Sequence, residues 1–74
     1  MVPRSRRLKA PEIEKILVRY GFELVSQSGS HRKWRHPEKR LQVIVPMHKG
    51  RDLPIGTLRN ILANAQIPEE DWKL

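Results

Sequence analysis

The side chains of this chain suited to moving protons near neutral pH are three histidines, His31, His36 and His48. No cysteine is present, which removes thiolate nucleophiles, disulfides and cysteine-ligated zinc. His31 and His36 fall on opposite faces of one strand and no supporting ligand pattern accompanies them, so neither a metal nor any other cofactor is expected. Ser30, His31 and Asp52 could be drawn as a hydrolase arrangement, but no strand-to-helix elbow surrounds the serine. Cleavage of RNA asks for less. The 2′-hydroxyl of the polymer is itself the nucleophile, so the protein need supply only a general acid or base and cations for the scissile phosphate. His31, opening a strand after the turn Gly29-Ser30 and followed by Lys33 and Arg35, supplies those groups. The competing reading is an ordinary exposed histidine among surface cations. His36 and His48 are assigned structural roles.

Charge narrows the partner. Residues 1–40 carry 11 Lys and Arg against 4 Asp and Glu, whereas residues 41–74 carry 4 against 4, so the whole excess of +7 lies in the first half. It is concentrated in Arg4-Ser5-Arg6-Arg7-Leu8-Lys9 and in His31-Arg32-Lys33-Trp34-Arg35-His36-Pro37-Glu38-Lys39-Arg40. With a pI near 10.6, such clustering is the footprint of a polyanion binder, with nucleic acid ahead of an anionic membrane or an acidic protein.

These residues must be positioned by few elements. Residues 1–9 read as a flexible basic arm and residues 10–74 as a single domain. Pro11, Glu12 and Glu14 in a first turn, with Ile13, Ile16, Leu17 and Tyr20 on one stripe and Gly21 beyond, predict an amphipathic helix. Phe22 to Gln27, His31 to His36 and Leu41 to Val45 predict three short strands, separated by Ser28-Gly29-Ser30 and Pro37-Glu38-Lys39-Arg40 and closed by Pro46. Alternation in the second strand sets Arg32, Trp34 and His36 against His31, Lys33 and Arg35. Trp34 belongs in the core rather than under a stacked base, which displays His31, Lys33 and Arg35 on the open face. Leu58, Ile61, Leu62 and Ala65 predict a second helix starting between Asp52 and Gly56, and Pro68 to Trp72 a final turn that returns Trp72 to the core. The fold class is therefore α+β, an α-β-β-β-α order with a three-stranded antiparallel sheet, two helices on one face and a short C-terminal helical turn.

Size sets the remaining bounds. At 74 residues one small core is possible, since a chain of this length buries only about 60% of its unfolded surface. No apolar run reaches the roughly 18 residues of a membrane span and no signal-peptide segment follows the basic start, so a cytoplasmic address is expected.

Several motifs in order carry a family likeness: Gly29-Ser30-His31 opening a strand, Lys33-Trp34-Arg35-His36-Pro37, Val43-Ile44-Val45-Pro46 running through His48 to Gly50, and Gly56-Thr57-Leu58-Arg59-Asn60-Ile61-Leu62. Over about residues 10–72 the chain resembles the HicA toxins of HicAB toxin–antitoxin systems. The resemblance implies a double-stranded-RNA-binding-domain-like fold and a toxin that cleaves mRNA without a metal. It implies inhibition by a cognate HicB-type antitoxin, and His31 as the catalytic histidine. Arg32 departs from the pattern, standing where many relatives carry a second histidine. On this reading the substrate is single-stranded or locally unpaired mRNA, contacted by Gly29, Ser30, Arg32, Lys33, Arg35, Lys39 and Arg40. No membrane partner and no DNA binding by the chain alone are expected. A non-catalytic RNA-binding module is the alternative from a different class, and a scaffold that docks an acidic protein is a third.

Overall fold

The computed structural model of the chain describes residues 8–47 and 50–72. Along them run α1 (Ala10–Arg19), β1 (Glu23–Ser28), β2 (His31–His36), β3 (Leu41–Pro46) and α2 (Ile55–Asn64), followed by a 3-10 turn at Glu69–Asp71. The expected α-β-β-β-α order is thus found, with an open antiparallel sheet ordered β1-β2-β3. The helices share one core with Trp34, Val43 and Val45 from a single face of that sheet.

Local chemistry explains where the helices stop. The Glu12 carboxylate accepts the Lys9 N–H at 3.1 Å, satisfying one free donor at the start of α1. At its end Phe22 N–H bonds the Leu17 carbonyl at 2.9 Å and Gly21 N–H that of Val18 at 3.0 Å, with Gly21 at φ +91°. This paired closure needs a left-handed residue, and glycine adopts that conformation without penalty. A Cβ at Gly21 would also stand 3.1 Å from the His36 ring. The same closure ends α2, where Ile67 N–H bonds Leu62 and Gln66 N–H bonds Ala63, but here Gln66 holds the left-handed position at φ +57°.

The sheet departs from expectation at β1. It runs one residue later than predicted, with a bulge between Leu24 and Ser26 that absorbs the adjacent apolar pair Leu24-Val25. All six of its residues are exposed, because both helices pack over β3 and Trp34 and leave β1 uncovered. Phe22, expected within this strand, precedes it and is buried, its ring edge-on to His36 with centroids 5.3 Å apart.

Leu8, Ile13, Leu17, Val45, Leu58 and Leu62 are the largest fully buried side chains, and Trp72 folds back onto them as expected. The Tyr20 hydroxyl donates to the Asp71 carboxylate and ties the last turn to α1. Leu8 and Lys9, expected within a flexible arm over residues 1–9, are held in the fold. Leu8 is fully buried, its carbonyl accepts the Leu53 N–H at 2.9 Å, and Lys9 forms an antiparallel bridge with Asp52. Burying one whole leucine, with a backbone bond beside it, offsets the entropy of ordering two residues. The rest of the expected arm, residues 1–7, and His48 lie outside the described residues.

Leu8→Ala is expected to lower unfolding stability by about 2–5 kcal/mol, read from urea denaturation, whereas a leucine in a free arm would be neutral. Gln66→Gly, which relieves the left-handed backbone at the end of α2, is expected to raise stability by about 1 kcal/mol in the same assay.

Candidate active site

The inner face of β2 is built first, because it decides what the outer face shows. Trp34 is buried, and Arg32 and His36 are half-buried beside it. The acceptor that these donors require comes from α1. The buried Glu14 carboxylate takes the Trp34 indole N–H at 3.0 Å through Oε2, and the Arg32 guanidinium Nη1 at 3.0 Å through Oε1 and 3.3 Å through Oε2. A carboxylate in this position is costly to bury alone and is held by charge-assisted bonds from two directions. Arg32, expected among the phosphate contacts, is thus drawn to the helix side of the sheet. His36 Nδ1 accepts the Lys39 N–H at 3.1 Å and closes the connection to β3, in keeping with a structural role.

On the outer face His31, Lys33 and Arg35 stand exposed along one strand. Their cross-strand neighbours are Ser28 and Pro46 for His31, Ser26 and Ile44 for Lys33, and Glu23 and Gln42 for Arg35. Among the described residues neither Lys33 nor Arg35 makes an ion pair, so their charge remains available to a ligand.

Gly29 and Ser30 form the two-residue turn that delivers His31. Gly29 sits at φ +57°, a conformation that two-residue hairpins demand at this first position. The Gln27 side-chain amide donates to the Gly29 carbonyl at 3.2 Å, and Met47 N–H to that of Ser30 at 2.6 Å. His31 therefore stands at the end of the sheet on a doubly anchored hairpin.

Lys39 and Arg40 lie at the other end, in the connection from β2 to β3, where Arg40 takes a left-handed φ of +56° and donates its N–H to the His36 carbonyl at 2.9 Å. At about 3.3 Å per residue, that turn begins about 16 Å from His31 along β2. The structure thus brings His31, Lys33 and Arg35 together, sets Lys39 and Arg40 at the far end, and turns Arg32 inward.

Glu14, a first-turn acid by sequence, is instead the buried acceptor of the sheet's inner face. A signal was present: Ala10, Ile13, Glu14 and Leu17 share one helical stripe, and Arg32 and Trp34 bring two donors to the core with no acceptor of their own.

The family model described as the HicA toxin of bacterial toxin–antitoxin matches residues 10–67. A match over that much of the chain makes the molecule the toxin component of such a system. The chain belongs to the HicA toxin family. No curated protein matches it at a significant level. Among the described residues no helix is long and apolar enough to cross a membrane.

Glu14→Ala removes the shared acceptor and leaves the Trp34 indole and a guanidinium that is one-third exposed without it. A loss of about 2–3 kcal/mol is expected by urea unfolding, since orphaned buried donors cost more than a lost surface pair.

Proposed function

We propose that this protein is an endoribonuclease toxin, an mRNA interferase in which His31 is the proton-transfer residue. The single observation that carries the reading is the outer face of β2, where His31, Lys33 and Arg35 stand exposed along one strand and, among the described residues, free of ion pairs. In the proposed reaction the 2′ oxygen bonds to the adjacent phosphorus and the bond from phosphorus to the 5′ oxygen breaks. One proton leaves the 2′ oxygen and one arrives on the 5′ oxygen, and His31 moves one of these. Lys33, two residues along the same face, stabilises the charge that develops on the phosphoryl oxygens, and Arg35 extends this role to the neighbouring phosphate. Lys39 and Arg40 hold flanking phosphates farther along, and the turn Gly29-Ser30 allows the backbone of the substrate close to His31. Arg32 is assigned to support of the strand. No metal is required, because the cations already on the face carry the electrostatic work.

The substrate is single-stranded or locally unpaired mRNA, since a flat strand face accommodates a splayed chain better than a duplex groove. Its inhibitor is a HicB-type antitoxin that covers the His31 face. Acidic residues on that partner would speed its association with a chain of net charge +7.

Purified protein is expected to cut a long mRNA in the presence of EDTA. His31→Ala is expected to reduce cleavage at least about 10²-fold, the usual worth of a general acid or base, with the unfolding midpoint and most RNA affinity retained. A 2′-deoxy nucleotide at the cut position should block the reaction; cutting there would defeat the internal-nucleophile mechanism. RNA that is bound in a salt-sensitive way and left whole would favour the non-catalytic module.

A further inference from the structure

A groove of about 410 Å³ opens where α2 runs beside the free edge of β3. Its lining carries no charge. Gln42 from β3 and Thr57, Asn60 and Asn64 from α2 supply its polar groups, and none of these side chains makes a hydrogen bond among the described residues. Buried Val43 and Ile61 form an apolar floor, and Ile44, 52% exposed, forms one wall. The strand edge adds backbone groups. Met47 bonds to Ser30 and bonded pairs alternate along an antiparallel ladder, so Gln42 and Ile44 turn their N–H and C=O away from β2 toward this edge.

From this geometry we propose that the groove between β3 and α2 is a nucleobase-binding subsite, and that Gln42, Asn60 and Asn64 set the base preference of the protein. The inference rests on the ribonuclease reading in one respect, that RNA lies on the His31 face. Phosphates have no reason to enter a neutral groove, whereas carboxamides match the mixed donors and acceptors of a base edge. The apolar floor and wall suit the base plane. Position makes the connection: Ile44 pairs with Lys33 and Gln42 with Arg35, so a backbone held by those cations passes beside the groove. A base splayed from it reaches over β3 into the amides. The groove has the volume of a small-ligand site but follows β3 only from Gln42 to Ile44, which suits a base better than an added peptide strand.

The test uses uncuttable 2′-O-methyl hexamers of A, C, G and U, with affinity measured across a salt series beside digestion mapping of an ordinary mRNA. The natural protein is expected to prefer one hexamer over the weakest by about 10-fold, and Asn60→Ala with Asn64→Ala to reduce that ratio below about 3-fold. The salt dependence should be unchanged, because no cation is removed. Gln42→Ala provides a second variant on the opposite wall, and all are checked for an unaltered unfolding midpoint. Equal binding of the four hexamers by the natural protein overturns the subsite. So does a base preference that survives these substitutions, or variants that lose antitoxin binding while keeping it, which would make the groove a protein-docking edge. A protein that discriminates bases through these amides yet never cuts RNA keeps the subsite and defeats the ribonuclease reading.

Discussion

The structure turns on one buried carboxylate. Glu14 reaches from α1 to bond both Arg32 and Trp34, two residues apart on the same face of β2. Because side chains alternate along a strand, fixing that pair inward fixes His31, Lys33 and Arg35 outward, and a slip of one residue would exchange the sets. The exchange would bury two cations and expose an indole, so hydrophobic burial and ion solvation oppose it together. A hydrophobic residue at position 14 would serve packing equally well but would leave the Arg32 and Trp34 donors without an acceptor. The polar contact thus contributes specificity of register as much as stability.

The limits of legibility follow from the same physics. Repeating patterns were readable: the stripe Ile13, Ile16 and Leu17 and the alternation through Trp34 both depend on neighbours close in sequence. The predicted bounds of β2 match those observed because a turn signal stands at either end. What escaped depends on contacts distant in the chain. Nothing near Leu8 announces that Leu53 will bond to it, and a short basic segment read by composition alone looks like solvent-facing chain. The alternation puts Arg32 on the correct face of the strand, but charge counts do not show that its guanidinium meets Glu14. Of the site, the grouping of His31, Lys33 and Arg35 was open to view in the alternation. The groove beyond β3 was not, since it needs α2 alongside a strand edge distant in sequence.

The division of labour between the two faces of the sheet has a physical logic. The first half carries the charge excess, yet both halves build the core, Leu8, Ile13, Leu17 and Trp34 from the first and Val43, Val45, Leu58, Leu62 and Ile67 from the second. Setting the cations on the sheet face opposite the helices lets a small domain keep its apolar interior dry while exposing a charged surface. Among the described residues both edge strands are unpaired on their outer side, and the bulge and exposed serines of β1 make that edge a poor template for further pairing. The β3 edge is different, because α2 runs beside it and restricts what can approach.

This asymmetry bears on how so small a surface could combine affinity with selectivity. Lys33 and Arg35 are alternate residues of one strand and repel each other, a tension held in place by the packing of Trp34 on the reverse side. On the proposed reading an anion lying across them, nucleic acid or the acidic surface of an inhibitor, would relieve it, and the same charges would serve capture and inhibition without distinguishing sequence. Phosphate contacts carry no base information in any case. On that reading selectivity would come from uncharged groups beside the track, and Gln42, Asn60 and Asn64 line a groove at the β3 edge next to the partners of Lys33 and Arg35.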